Sequence, residues 1–375
     1  MQERLLGGLT ALEFLRRHWQ KTPLLVRGAV PDIGGWPGKR ALFSLAQRAD
    51  AESRLVARRG GRWSVRHGPI PRTRLARLPR CDWTLLVNGV NLHCSRAEHL
   101  LRRFAFLPQA RLDDVMVSFA VPGGGVGAHC DSYDVFLLQG SGRRIWRLER
   151  ARSFAPVPGA PLRLIADFRP EEEYLLEPGD LLYVPPGWGH DGVALSASWT
   201  YSIGFRAPRR AELAAAFLDY LHERGFSDRA YRDPDLRPAL RPAHIDGAMV
   251  RFAENAVRQL RWARRDVEAL LGRHLTSPKH HVVFEAPKHP IPRPAFLRNL
   301  ARSAAALDAR TQLLYLDRRF FVNGEDFSPR PAQRRVLARL ADRRRLGGAA
   351  LVRAGLGDLI YDWYRDGYLF LERDT

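Results

Sequence analysis

Between Asp113 and Phe205 the chain consists of brief aromatic and β-branched runs punctuated by glycine and proline. "DDVMVSFAVPGGGVGAH", "SYDVFLLQGSGRRIWRL", "YLLEPGDLLYVPPGWGH" and "SASWTYSIGF" are spaced for an antiparallel barrel or a double-sheet jelly roll. A parallel sheet would need long crossover helices, which this spacing disfavours. The β core is expected to close near Phe205.

The flanks read differently. In "TALEFLRRHW", Leu12, Leu15 and Trp19 recur at helical spacing, and Thr10 with Glu13 forms a capping box. "TPLLVRG" predicts a strand and "GKRALFSLAQRA" a second helix. Gly60 and Gly61 in "RLVARRGGRWSVRHG" suit a hairpin turn. After "RAPRR" the pattern becomes helical: Leu213, Phe217, Leu218 and Leu221 share one face, and "VRFAENAVRQLRWARRDVEALLGRHL" continues as amphipathic helix. A cap on the barrel and a subunit interface both fit this region. "FEAPKHPIPRP" marks a second boundary. Beyond it, "TQLLYLDRRFFVNGEDF" predicts paired strands, "PAQRRVLARLADRRR" a basic helix, and "DLIYDWYRDGYLFLE" a helix followed by a strand. Such a tail is compatible with a winged helix. The division is therefore 1–208, 209–278 and 279–375.

With 60 basic and 40 acidic residues the 375-residue chain carries a formal charge of +20, which favours acidic partners such as nucleic acid or a ribonucleoprotein. Only Lys21, Lys39, Lys279 and Lys288 are lysines, so the excess is almost wholly arginine. Arg330, Arg334, Arg335, Arg339, Arg343, Arg344 and Arg345 crowd the tail against Asp342 alone, as either a phosphate-contacting face or a solvated one. The three cysteines, Cys81, Cys94 and Cys130, show no metal spacing and suit a reducing compartment. No stretch of 18 apolar residues occurs. A cytoplasmic protein without a membrane role is expected.

His129 and Asp131 lie two positions apart, so on a strand they share a face and Cys130 takes the other. An imidazole and a carboxylate joined by a distant imidazole make a facial triad suited to ferrous iron. His190, after a predicted strand and the rigid "PPGWG" turn, is the best third ligand. His222 falls in the helical segment; His67, His93 and His99 precede the barrel without comparable neighbours. In "RRIWRL", Arg144, Trp146 and Leu148 share the more apolar face, which turns Arg144 inward. A buried guanidinium is costly without an anion. Either a ligand carboxylate or an internal Asp or Glu would satisfy it; Asp134 is near in sequence, though its alternation argues for the opposite face.

The segment "DDVMVSFAVPGGGVGAHCDSYDVFLLQGSGRRIWRL", with "LEPGDLLYVPPGWGHDG" and "YSIGFRAP", closely resembles the jumonji C-type ribosomal oxygenases, in particular the bacterial arginine hydroxylases acting on large-subunit ribosomal protein sixteen. The likeness runs from "LRRHWQKTPLLVRG" into the terminal modules and is strongest from Asp113 to Pro208. It implies a mainly β, cupin-like double-stranded β-helix, a helical homodimerisation module and a C-terminal winged helix. It further implies an Fe(II)- and 2-oxoglutarate-dependent dioxygenase that consumes dioxygen and hydroxylates an arginine Cβ. By this resemblance His129, Asp131 and His190 bind iron, Arg144 and Ser118 hold 2-oxoglutarate, and Asp114, Met116 and Tyr133 surround the target, with Ser202 a further candidate. A carboxylate, a thioether and an aromatic ring suit the charge, methylenes and flat face of a guanidinium side chain. Engagement of a ribosomal protein near ribosomal RNA would account for the positive charge. Histidine hydroxylation, lysine demethylation and a noncatalytic nucleic-acid-binding role are the alternatives.

Overall fold

The computed structural model describes residues 2–31, 33–150, 154–226, 228–238 and 240–373. Twelve strands run from the amino-terminal region through the central block: β1 (Leu24–Val26), β2 (Ser53–Arg59), β3 (Arg62–His67), β4 (Trp83–Val87), β5 (Leu112–Ala120), β6 (His129–Cys130), β7 (Val135–Ser141), β8 (Arg144–Arg150), β9 (Glu172–Leu176), β10 (Leu181–Val184), β11 (Trp188–Ala194) and β12 (Ser198–Phe205). They form an eight-stranded sheet in the order β1-β10-β7-β12-β5-β4-β2-β3 and a four-stranded sheet in the order β6-β11-β8-β9. Every pairing within these two sheets is antiparallel. The expected double-sheet jelly roll is thus present, and it ends at Phe205.

Local signals account for the flanks. Thr10 caps the helix Ala11–Arg17, its hydroxyl accepting from the Glu13 N–H at 3.2 Å while Glu13 Oε2 accepts from the Thr10 N–H at 2.9 Å. Gly60 and Gly61 turn β2 into β3 with φ of 53° and 78°, values that favour residues without a Cβ.

The large sheet separates two cores. Its outer face packs Leu55, Leu85, Val87, Val115, Val117, Phe119, Tyr201 and Ile203 against the amino-terminal helices, including Phe14 and Leu100. Its inner face looks toward the small sheet, and Val135, Leu137, Leu182 and Val184 meet Trp146, Leu148, Leu176 and Trp188 there. Asp114, Met116 and Ser118, which alternate with the outer residues of β5, face this interior.

The chain divides into two compact units. The first comprises residues 1–207, 278–311 and 345–375. Beyond the jelly roll it contains the helices Arg293–Leu300, Gly348–Arg353 and Gly357–Arg365, with strand Ser303–Leu307 between Arg345–Gly347 and Leu369–Arg373. The second comprises residues 208–277 and 312–344. It holds the helices Arg210–Glu223, Gly247–Arg258, Arg264–Thr276 and Pro331–Arg343 and a meander of Leu313–Leu316, Arg319–Val322 and Glu325–Phe327. The helical grammar after "RAPRR" is therefore realised, although of the four face residues in its first helix only Leu221 is buried and Leu218 is exposed. Among the described residues no helix is long and apolar enough to cross a membrane.

Candidate metal centre and anion site

His129 and His190 are direct cross-strand partners in the β6–β11 pair. Side chains opposite each other in an antiparallel pair project from the same face, so the two imidazoles meet with ring centroids 4.2 Å apart. Asp131 follows β6, and its Oδ2 lies 3.7 Å from His190 Nε2. One ligand atom from each of the three residues falls within a 4.8 Å cluster. Strand β6 itself ends at Cys130, so Asp131 and Tyr133 lie in the bend beyond it rather than on a continuing strand. Asp131 still turns toward the histidines, whereas Tyr133 sits on the rim, 39% exposed.

The backbone chooses the histidine tautomers. His129 Nδ1 is 2.9 Å from the Gly127 carbonyl and His190 Nδ1 is 3.1 Å from that of Trp188. A carbonyl only accepts, so each Nδ1 carries the proton and each Nε2 presents a lone pair. Burial, followed by the charge of neighbouring His129, pushes His190 down to about 4, which keeps its imidazole neutral. Two imidazoles and a carboxylate whose ligand atoms converge in this way are the donor set of non-haem iron oxygenases.

Deeper in the barrel, Arg144 begins β8 opposite Ala194 of β11. It is buried, as are Trp146 and Leu148 on the same face. Trp146 lies between the two ends of the site, 5.9 Å from the His190 ring, with the Arg144 guanidinium 5.8 Å from the indole centroid. Gly192 faces Trp146 across the strands, and a Cβ there would meet the indole at 2.6 Å. The glycine in "HDGVA" thus leaves room for the ring that separates the metal donors from the cation.

Among the described residues the polar contacts of Arg144 are long bonds to Ser118 Oγ at 3.4 Å and Ser198 Oγ at 3.5 Å, and its Nε has no partner. Burial, which disfavours the charged form, pulls its pKa down to about 10, opposed by the charge of Asp191. Asp134, the nearby acid in sequence, is fully buried elsewhere: it accepts from Tyr183 Oη at 2.6 Å and Gln20 Nε2 at 3.0 Å, and pairs with Arg111 at 3.3 Å. A buried guanidinium with only long contacts to two hydroxyls fits a carboxylate ligand.

The remaining predicted residues line the same interior. Ser118 is buried and its Oγ approaches the Thr200 carbonyl at 3.5 Å. Met116 pairs with Ser202 of β12, and Asp114 accepts from the Gly89 N–H at 2.8 Å. Burial and the adjacent Asp113 push Asp114 up to about 6. Burial, Asp131 and Asp114 hold the Tyr133 hydroxyl well above the usual phenol range. Sequence reasoning passed over Ser198, Thr200 and Thr84. All three are buried on this inner face, and Thr84 Oγ1 has no partner among the described residues. Period-two alternation through "SWTYSIGF" carried the signal for the first two, since Ser198 and Thr200 share a face with Ser202.

Comparison with known proteins matches this architecture. A JmjC domain model covers residues 99–213 and a ROXA-like winged-helix model residues 259–370. The ribosomal protein uL16 3-hydroxylase of Escherichia coli is 42% identical over 234 residues, an alignment that spans 62% of this chain and 62% of that protein. The X-ray structure of E. coli YcfD superimposes with a TM-score of 0.83 at 32% identity, covering 97% of this chain and 98% of that one. A structure of YcfD, described as a ribosomal oxygenase, in complex with cobalt and 2-oxoglutarate gives 0.79 at the same identity and coverage. Near-complete structural coverage, together with the His129, Asp131 and His190 cluster, shows that the chain belongs to the jumonji C ribosomal-oxygenase family.

Proposed function

We propose that this protein is an Fe(II)- and 2-oxoglutarate-dependent hydroxylase of an arginine Cβ in large-subunit ribosomal protein uL16. The observation that carries this reading is the buried Arg144 guanidinium, which has only two long serine contacts and no paired acid among the described residues, in the same barrel interior as the two-histidine, one-aspartate cluster. Similarity to the E. coli uL16 hydroxylase supports the substrate.

His129, Asp131 and His190 would hold iron through their Nε2 and carboxylate atoms, and Arg144 would pair with the far carboxylate of 2-oxoglutarate, aided by Ser118. Iron and 2-oxoglutarate together supply the oxidising power to hydroxylate an unactivated carbon with dioxygen. The chain's own part is positioning. Carbonyl bonds from Gly127 and Trp188 fix both imidazoles, and the apolar walls of Val135, Leu137, Leu148 and Trp188 exclude water. At the mouth, Asp114 would take the substrate guanidinium, Met116 its methylenes and Tyr133 its flat face, with Ser202 behind Met116.

Exposed apolar residues on the second unit's helices, among them Leu218, Met249 and Val257, support the reading of residues 209–278 as a homodimerisation module. The +20 charge supports work beside ribosomal RNA, in the cytoplasm. Incubation with Fe(II), 2-oxoglutarate, oxygen and uL16 tests the reaction. One arginine should gain the mass of a single oxygen atom. Modification confined to histidine, or formaldehyde release from methyl-lysine, would redirect the assignment.

A further inference from the structure

Asp113 and Asp114 are consecutive on β5, so their carboxylates leave opposite faces of the strand. Asp114 faces the barrel mouth. On the other side Asp113 Oδ1 is met by Lys279 Nζ at 2.9 Å and by Arg206 Nε at 3.3 Å. Lys279 belongs to the stretch that follows the helix Arg264–Thr276, and from residue 278 onward this stretch is part of the barrel unit. One of only four lysines in an arginine-rich chain is therefore brought from far along the sequence to the back of the proposed substrate carboxylate.

We propose that Lys279 is a positioning residue for substrate recognition: by pairing with Asp113 it cancels a neighbouring negative charge and keeps Asp114 ionised to receive a substrate guanidinium. The inference rests on the arginine-hydroxylase reading and assigns a role outside the barrel interior.

The electrostatic setting of Asp114 is defined by groups from every side. Burial and Asp113 on its own strand push it up to about 6, and Glu52, just before β2, pushes the same way. Lys279 and the Gly89 N–H oppose them. Tyr133 on the rim feels the Asp114 charge, and Arg206 flanks Lys279. Arg206 continues to pair with Asp113 if Lys279 is removed, but Asp114 then loses the nearby cation that lowers it. Its midpoint moves upward. Because a protonated carboxyl pairs poorly with guanidinium, the cost falls on substrate binding at lower pH and disappears once the solution is alkaline enough to ionise Asp114 again.

The test uses the 375-residue chain carrying carboxyl-¹³C aspartate, with Asp114 assigned by loss of its resonance in Asp114→Asn. Lys279→Met should raise the Asp114 midpoint, and Lys279→Arg should restore it. In steady-state assays below the new midpoint, Lys279→Met should raise KM for a uL16 peptide in step with the measured rise of the midpoint, about tenfold if the midpoint rises by one pH unit. kcat and the KM for 2-oxoglutarate should stay unchanged, and the KM defect should close at alkaline pH. An Asp114 midpoint unmoved by Lys279→Met overturns the inference whatever the activity. So does a KM defect of equal size at every pH, which marks a purely structural role. If the wild-type chain modifies no arginine, the proposed reaction fails, while the titration still decides whether Lys279 governs the charge of Asp114.

Discussion

Strand β5 presents two faces made under different rules. Val115, Val117 and Phe119 enter a continuous apolar core, whereas Asp114, Met116 and Ser118, the residues between them, face the barrel interior. On the apolar face neighbours satisfy one another through packing alone. The inner face, together with the opposing small sheet, holds a guanidinium Nε, a Thr84 hydroxyl and a Trp146 N–H that find no partner among the described residues, and a carboxylate pushed up to about 6. A folded chain keeps such groups when a ligand completes them. One backbone thus carries stability on one side and chemistry on the other.

Substitutions should separate the two faces. The largest effect is expected for Asp131→Ala, which removes a metal donor: hydroxylation should fall to background, and the melting temperature should hold or rise because a half-buried acid has been removed. A fall in melting temperature as large as that of a core variant would break the distinction. Phe119→Ala, on the apolar face, should cost about 3–5 kcal/mol of unfolding free energy by denaturant titration. Its KM for 2-oxoglutarate should stay near wild type at temperatures where it remains folded.

Arg144→Met should raise KM for 2-oxoglutarate roughly a hundredfold, in line with about 3 kcal/mol for a charge-assisted, two-bond contact. Because a buried charge without a counter-ion is replaced by an apolar side chain of similar length, unfolding should become harder rather than easier. Destabilisation would mean that Arg144 has a structural anion.

The effect sharpest in sign concerns Asp114. Its folded-state pKa of about 6 lies above the ordinary carboxylate value, so the folded chain binds a proton more tightly than the unfolded one. Wild-type stability from this group is present at acid pH and is lost as pH rises through about 6. Asp114→Asn, which does not titrate, should match wild type below about pH 3 and exceed it by about 3 kcal/mol at pH 8. Turnover of an arginine substrate should fall in the same variant. Equal stability gains at both pH values would refute the linkage.

Much of the fold was legible from local rules. Glycine and proline spacing announced the jelly roll, Thr10 and Glu13 announced a helix start, and Gly60-Gly61 announced a hairpin, because each depends on a few adjacent residues. The inward turn of Arg144 was legible for the same reason, since alternation along β8 left one face more apolar than the other. Tyr133 shows where that logic stops. Counting by twos from His129 assumes an unbroken strand, and the backbone bends after Cys130. Thr84 carried no local signal, because a threonine in "WTLLV" reads as an ordinary strand residue until the opposite sheet is in place.

The sequence by itself determined which residue types were on hand and, through period-two alternation, which face each would take: imidazole and carboxylate for a metal, an inward guanidinium for an anion. Tertiary structure alone decided that His129 stands directly across from His190, that Arg144 forms no ion pair among the described residues, and that Lys279 reaches the back of the Asp113–Asp114 pair. The physical reason is range. Alternation follows from the geometry of one strand, whereas register and the absence of a partner depend on every segment that the fold brings near.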